Sequence, residues 1–138
     1  QSYFLTLFKI LMMAKNIESR ADVSLLVRTF YAKIRKNQLL GPIFNEAIPA
    51  QNWENHLEKL TDFWETNLFG IPKFKGNPMM AHRNVDKAND HSIEMAHFGH
   101  WLQLWFTTID SLFIGELAEK AKRSSRKMAT GLFMGMKS

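Results

Sequence analysis

Cysteine is missing from this 138-residue chain, and its absence removes several chemistries at once. Disulfide scaffolds, thiolate-held zinc, iron–sulfur clusters and cysteine nucleophiles all need the thiol. A metal would have to be held by histidine or carboxylate, or arrive inside a cofactor. Lack of cysteine also fits a cytoplasmic protein. Long apolar runs are missing too. The opening YFLTLFKILMMA is shorter than the roughly 20 residues a membrane span needs, and its flanks are not those of a signal peptide. The chain starts at Gln, and Met12-Met13-Ala14-Lys15 reads as a natural start. The expectation is an N-terminal extension over residues 1–12, outside the fold, and one domain over 13–138. Proline is scarce, at positions 42, 49, 72 and 78, always between periodic segments, where chain breakers belong. No stretch alternates apolar and polar residues, so strands are not expected. No repeat and no nicotinamide- or flavin-binding segment is present.

Aromatic and apolar side chains are plentiful. Eleven Phe, four Trp and eight Met within a 46% hydrophobic composition support one closed core and leave room for a flat, bulky guest. The formal charge is +5, with basic residues gathered in KAKRSSRK (120–127). Lys120, Lys122, Arg123, Arg126 and Lys127 point around a helix in several directions rather than along one face. That is a solvated helix surface, so neither nucleic acid nor membrane is expected as a partner.

Four long helices are legible, which makes the class all-α. The first begins near Asp22 as N-cap and carries Val23, Leu26, Val27, Phe30, Tyr31 and Ile34 at helical spacing. Lys33, Arg35 and Lys36 close it at the negative end of the helix dipole. The second runs from about Asn52 to Leu68 with the stripe Trp53, Leu57, Leu60, Trp64 and Leu68; His56 and Phe63 flank it. Residues 73–90 show little periodicity and read as loop plus a short helical turn around Met79–His82. Such a connector usually has a functional reason. The third helix runs from about His91 to Phe113, burying Ile93, His97, Trp101, Leu104 and Leu112. The fourth, from about Gly115 to Phe133, carries Leu117, Ala121, Met128 and Leu132.

Four of the five histidines fall in HRNVDKANDHSIEMAHFGHW (82–101), a density that suggests bound metal. His91, His97 and His100 share no single helix face, and Glu94-x-x-His97 lacks the second such pair that a di-iron bundle needs. Ordinary surface histidines explain them better. His56 reads as a half-buried histidine, Tyr31 as a core tyrosine and Trp101 as core. His82 stands in the irregular connector. Spacing alone gives an all-α domain that can hold a cofactor through histidine.

FYAKIRKNQLLGPIF (30–44), WENHLEKLTDFW (53–64), HRNV (82–85) and WLQLWFTTID (101–110) together resemble the third group of truncated haemoglobins. The likeness covers roughly residues 20–135 and keeps the order of motifs. It implies a truncated globin fold, a two-over-two helical sandwich around haem b (iron protoporphyrin IX). By position it implies His82 as the proximal iron ligand. Tyr31, His56 and Trp101 become the distal ligand-binding residues, and Phe30, Phe63 and Trp64 pack the pocket. The join VDKANDHSIEMAHFGH contains no proline where some members have a shorter, proline-rich one. Arg83, Lys73 and Lys75 are candidate partners for the haem propionates.

The implied function is binding of oxygen and other diatomic ligands at ferrous iron. Distal donors strengthen the hold on oxygen. Two hydrogen bonds of about 1.5–3 kcal/mol each would slow its release about a hundredfold or more. A carrier role suits such a protein poorly. Nitric oxide dioxygenase-like or peroxidase-like chemistry suits it better, and either needs an external reductase. Nitric oxide, carbon monoxide and peroxide are further expected small ligands. The rival readings are a helical interaction module without haem and a non-haem iron enzyme using the histidine trio.

Overall fold

The computed structural model describes residues 3–5, 14–76, 78–89 and 92–137, with the side chains of Met79, Met80, Arg83 and Lys137 outside that description. Most of the expected N-terminal extension, and His91, therefore lie outside the described residues; Tyr3, Phe4 and Leu5 form a short exposed helical turn. Six α-helices follow: α1 Arg20–Lys36, α2 Gly41–Ala47, α3 Trp53–Phe69, α4 Pro78–Ala88, α5 Met95–Leu112 and α6 Glu116–Lys137. A 3-10 turn, Ala50–Asn52, leads into α3. Among the described residues there is no strand, only an isolated bridge between Lys15 and Phe113.

The sequence places α1 correctly but misplaces its cap. Ser19, not Asp22, is the N-cap, and its hydroxyl accepts the Asp22 backbone N–H at 3.3 Å. Asp22 reaches back to accept the N–H of Glu18 and a bond from Lys15. The Ser19 hydroxyl thus satisfies a donor that the first turn leaves open, and the Asp22 carboxylate satisfies one just ahead of the helix. α3 ends at Gly70, whose φ of 71° is the left-handed conformation glycine adopts without strain.

A larger correction concerns residues 78–88, expected as loop plus one turn and found as an 11-residue helix. Proline suits the first position, where its missing N–H is no loss, and Met, Ala, Arg and Lys are good helix formers. Its periodicity was faint because one fully buried position, Asp86, is polar. α5 starts at Met95 rather than His91, since Glu94 and His97 form a reciprocal cap there. His97 is therefore no part of a buried stripe: its Nδ1 accepts the Glu94 N–H at 2.8 Å.

The four long helices make two antiparallel pairs. Arg20 bonds Glu58, Asp62 and Glu65, while Arg28 bonds Glu54 and Glu58, so α1 and α3 run in opposite directions. Phe98 meets Phe133, Arg126 lies over Phe106, and Lys122 bonds Asp110, which sets α5 antiparallel to α6. The pairs meet where Phe30 of α1 and Trp64 of α3 pack on Trp105 of α5, ring centroids 4.9 and 4.8 Å away. Trp105 is fully buried. This is the two-over-two arrangement of a truncated globin fold, with α4 packed against α6.

Candidate functional site

The polar residues singled out on α1, α3 and α5 come together. Tyr31 is 5% exposed. The Trp101 side chain lies close enough to its hydroxyl to interact with it, and the ring of His56 stands edge-on to it at 6.2 Å. Burial pushes the Tyr31 phenol well above its ordinary pKa, against a smaller opposing pull from the nearby Trp101 side chain. It stays protonated. Burial also lowers the pKa of the half-buried His56, and nearby Lys59 lowers it further, so the neutral ring is favoured.

Apolar groups fix these three. Phe30 packs edge-on against Tyr31 at 4.8 Å and Trp101 at 5.1 Å. Trp101, Trp105 and Trp64 form a continuous stack with centroids 5.7 and 4.8 Å apart. Phe63 is half-buried between Trp64 and Phe74. Trp53 adds an edge contact to His56 at 5.5 Å, with the Arg35 guanidinium 4.5 Å from its ring centroid. Phe30, Phe63 and Trp64 therefore belong to one aromatic wall.

His82 joins this assembly through α5. Its ring lies nearly parallel to that of Phe98, centroids 6.1 Å apart. Phe98 precedes Trp101 by three residues, one turn, or roughly 4.5 Å along the axis. One face of α5 thus touches His82 at one level and the Tyr31 group at the next. Sequence reasoning missed Phe98. The spacing Phe98, Trp101, Trp105 was the available signal, three and four residues apart on one face. The stripe expected for this helix was set one position off, since Trp105, Thr108 and Ile109 are buried while Leu104 and Leu112 are only half-buried.

The bonding of His82 has a direct chemical consequence. Its Nδ1 is 2.7 Å from the carbonyl oxygen of Pro78. A carbonyl only accepts, so Nδ1 carries the proton and the neutral ring keeps its lone pair on Nε2. Metal-ligating histidines show this arrangement, the second nitrogen donating to a carbonyl or carboxylate. The donor set fits a ligand for iron, and the aromatic wall on the same face of α5 would suit a flat macrocycle.

The remaining residues do not join the site in the same way. Lys73 pairs with Glu65 at 3.5 Å. Lys75 is exposed, and the Arg83 side chain lies outside the described residues. His97 caps its own helix, and His100 is exposed on α5. Among the described residues, no three His, Asp or Glu side chains gather as a metal cluster, and no helix is long and apolar enough to cross a membrane.

Comparison with known proteins agrees with this architecture. Residues 14–133 match the family described as bacterial-like globin. The chain is 26% identical over 114 residues to the group 3 truncated haemoglobin ctb of Campylobacter jejuni, covering 81% of this chain and 86% of that one. The crystal structure of group III truncated haemoglobin from Campylobacter jejuni superposes with a TM-score of 0.79 at 25% identity, covering 90% of this chain and 95% of the other.

Proposed function

The chain belongs to the bacterial-like globin family, and from that premise we propose that it is a haem protein holding iron through His82 and binding small diatomic ligands. One observation carries the reading: the Nδ1 bond to Pro78, which leaves a neutral Nε2 donor. Haem b, when bound, supplies an iron with a vacant position for oxygen, nitric oxide, carbon monoxide or peroxide. The chain's own residues supply the selectivity. The match from residue 14 onward also supports a domain that begins near residue 13.

Tyr31 is the principal donor on the ligand side. It lies buried beside Trp101, and its phenolic hydrogen can donate to a bound ligand. Burial keeps it protonated at neutral pH. His56, held neutral, offers a second donor from α3. Such bonds to a ligand that gains negative charge contribute about 1.5–3 kcal/mol each. Two of them slow oxygen release about a hundredfold or more. Phe30, Trp64 and Trp101 exclude water from this side, with Phe63 at its edge. Lys73 is engaged by Glu65, so Lys75 and Arg83 are the better propionate partners.

Tight oxygen binding argues for chemistry rather than carriage, with nitric oxide converted to nitrate or peroxide reduced. An external reductase would supply the electrons. The test is the absorption spectrum of haem-reconstituted protein, before and after dithionite and carbon monoxide. A Soret band that sharpens and shifts with carbon monoxide is expected. His82→Gly should lose haem affinity by more than the roughly 10–100-fold typical of losing an outer partner of a metal ligand, and added imidazole should restore the ferrous spectrum. A folded protein that takes up no haem would sink the reading and favour an interaction module. Iron without porphyrin would favour a non-haem centre.

A further inference from the structure

Asp86 has no exposed surface, and it sits on α4 one turn beyond His82. One of its carboxylate oxygens accepts the backbone N–H of Ile93 at 3.1 Å. That buried bond runs from α4 to the residues just ahead of α5. Positions four apart share a helix face, so His82 and Asp86 look toward the same neighbour. Each meets it, His82 against Phe98 and Asp86 against Ile93.

The helix is therefore fastened to the α5 segment at two points a turn apart. One point of contact permits a helix to roll and slide about it; two do not. α4 has 11 residues, fewer than the roughly 12–15 an isolated helix needs to persist in water. Its position must come from such ties and from its packing on α6. An apolar side chain would fill the same space without the desolvation that a carboxylate suffers. The bond to Ile93 gives a buried carboxylate a use here that an apolar side chain would lack. His82 donates to Pro78 within the same helix, so whatever fixes the roll of α4 also fixes where the Nε2 lone pair points.

We propose that Asp86 is a positioning residue for the iron ligand: by holding Ile93 it sets the roll of α4 and so the aim of the His82 imidazole. The inference rests on the reading of His82 as the axial ligand. Outer groups that orient metal ligands typically change metal affinity about 10–100-fold when lost. Here the tie acts through the backbone, so the lower end of that range is expected.

The experiment uses ferrous haem-loaded protein and two readouts. One is the iron–imidazole stretching band in the resonance Raman spectrum, and the other is the rate of haem transfer to a tighter-binding apoprotein. Asp86→Ala should shift and broaden the band and speed haem transfer about tenfold. Asp86→Asn retains an oxygen that accepts from Ile93 and should return both toward the parent. Should the alanine variant fail to fold, Asp86→Glu displaces the acceptor by one methylene and should move the band in its place. A folded alanine or glutamate variant with the parent's band and haem-transfer rate overturns the proposal. His82→Gly separates this failure from that of the parent reading. If it keeps the parent's band, His82 is not the ligand. If it loses the band while the Asp86 variants do not change it, only the positioning role falls.

Discussion

The two sides of the candidate site are built differently. The Tyr31 side is assembled from three long helices, and every ring there has aromatic neighbours within about 5–6 Å. Among the described residues, the His82 side is one short helix packed on α6, a stacked phenylalanine and a buried carboxylate tie. The first belongs to the core of the fold, so its geometry is set by the packing that stabilises the domain. The second packs on α6 and is tied to the α5 segment by two specific contacts. The Tyr31 group is thus preorganised by folding itself, whereas His82 depends on specific local bonds and, in our reading as an iron ligand, on haem. Binding of haem to the folded state alone would then raise stability by mass action.

The largest effect should come from the centre of the first region. Trp105→Ala removes a fully buried ring that touches Phe30, Trp64 and Trp101 and should cost about 3–5 kcal/mol in denaturant melts of the apoprotein. Phe98→Ala, at a half-buried position, should cost clearly less while hastening haem loss. Equal stability losses in the two variants would erase the contrast between the regions. Tyr31→Phe comes next: it should leave the melt nearly unchanged and speed oxygen release about ten- to hundredfold, measured by stopped flow. An unaltered rate would hand the dominant bond to His56 or Trp101.

Ion pairs along α1 and α3 sharpen the same comparison at a smaller scale. Arg20 faces Glu65, whose side chain is only 5% exposed, whereas Arg28 faces exposed Glu54 and Glu58. Arg20→Ala leaves a buried acceptor with Lys73 as its remaining cation and should cost about 1–3 kcal/mol. Arg28→Ala should cost less than about 1 kcal/mol. Thermal melts that rank them the other way would contradict the burial argument.

The smallest effect concerns pH. Burial lowers the pKa of His56 below its ordinary 6.5, so the unfolded chain takes up this proton more readily than the folded one. The resulting stability is present above about pH 6.5 and is lost as pH falls through that value toward the lower folded pKa. His56→Leu should therefore show a shallower loss of stability between neutral and mildly acidic pH. If the parent and variant slopes coincide, the half-buried ring titrates like a free one.

How far the sequence reached depended on the kind of signal each region carries. α1 and α3 were legible because their buried faces are apolar at helical spacing, and the ends of α1 needed only a cap correction from Asp22 to Ser19. The α5 stripe was misread by one position because Trp101 and Trp105 are both apolar and adjacent in phase. Only burial distinguishes the half-exposed ring from the fully enclosed one. α4 was nearly invisible, since its buried face includes a histidine and an aspartate, residues that periodicity counts as solvent-facing. His82 was singled out by resemblance to a family, not by pattern, and its tie to Pro78 has no signature in the spacing of side chains.

By itself the sequence determined the helical class, the positions of the long helices and the identities of the polar residues to watch. All three follow from local physics: turn periodicity, breaker placement and the chemistry of single side chains. Tertiary structure alone decided that Tyr31, His56 and Trp101 meet in one aromatic cluster, that Trp105 closes the crossing of the helix pairs, and that Asp86 ties the His82 helix to the residues ahead of α5. Those facts join residues from separate helices, and one chain read in order carries no distance between them until the core has packed.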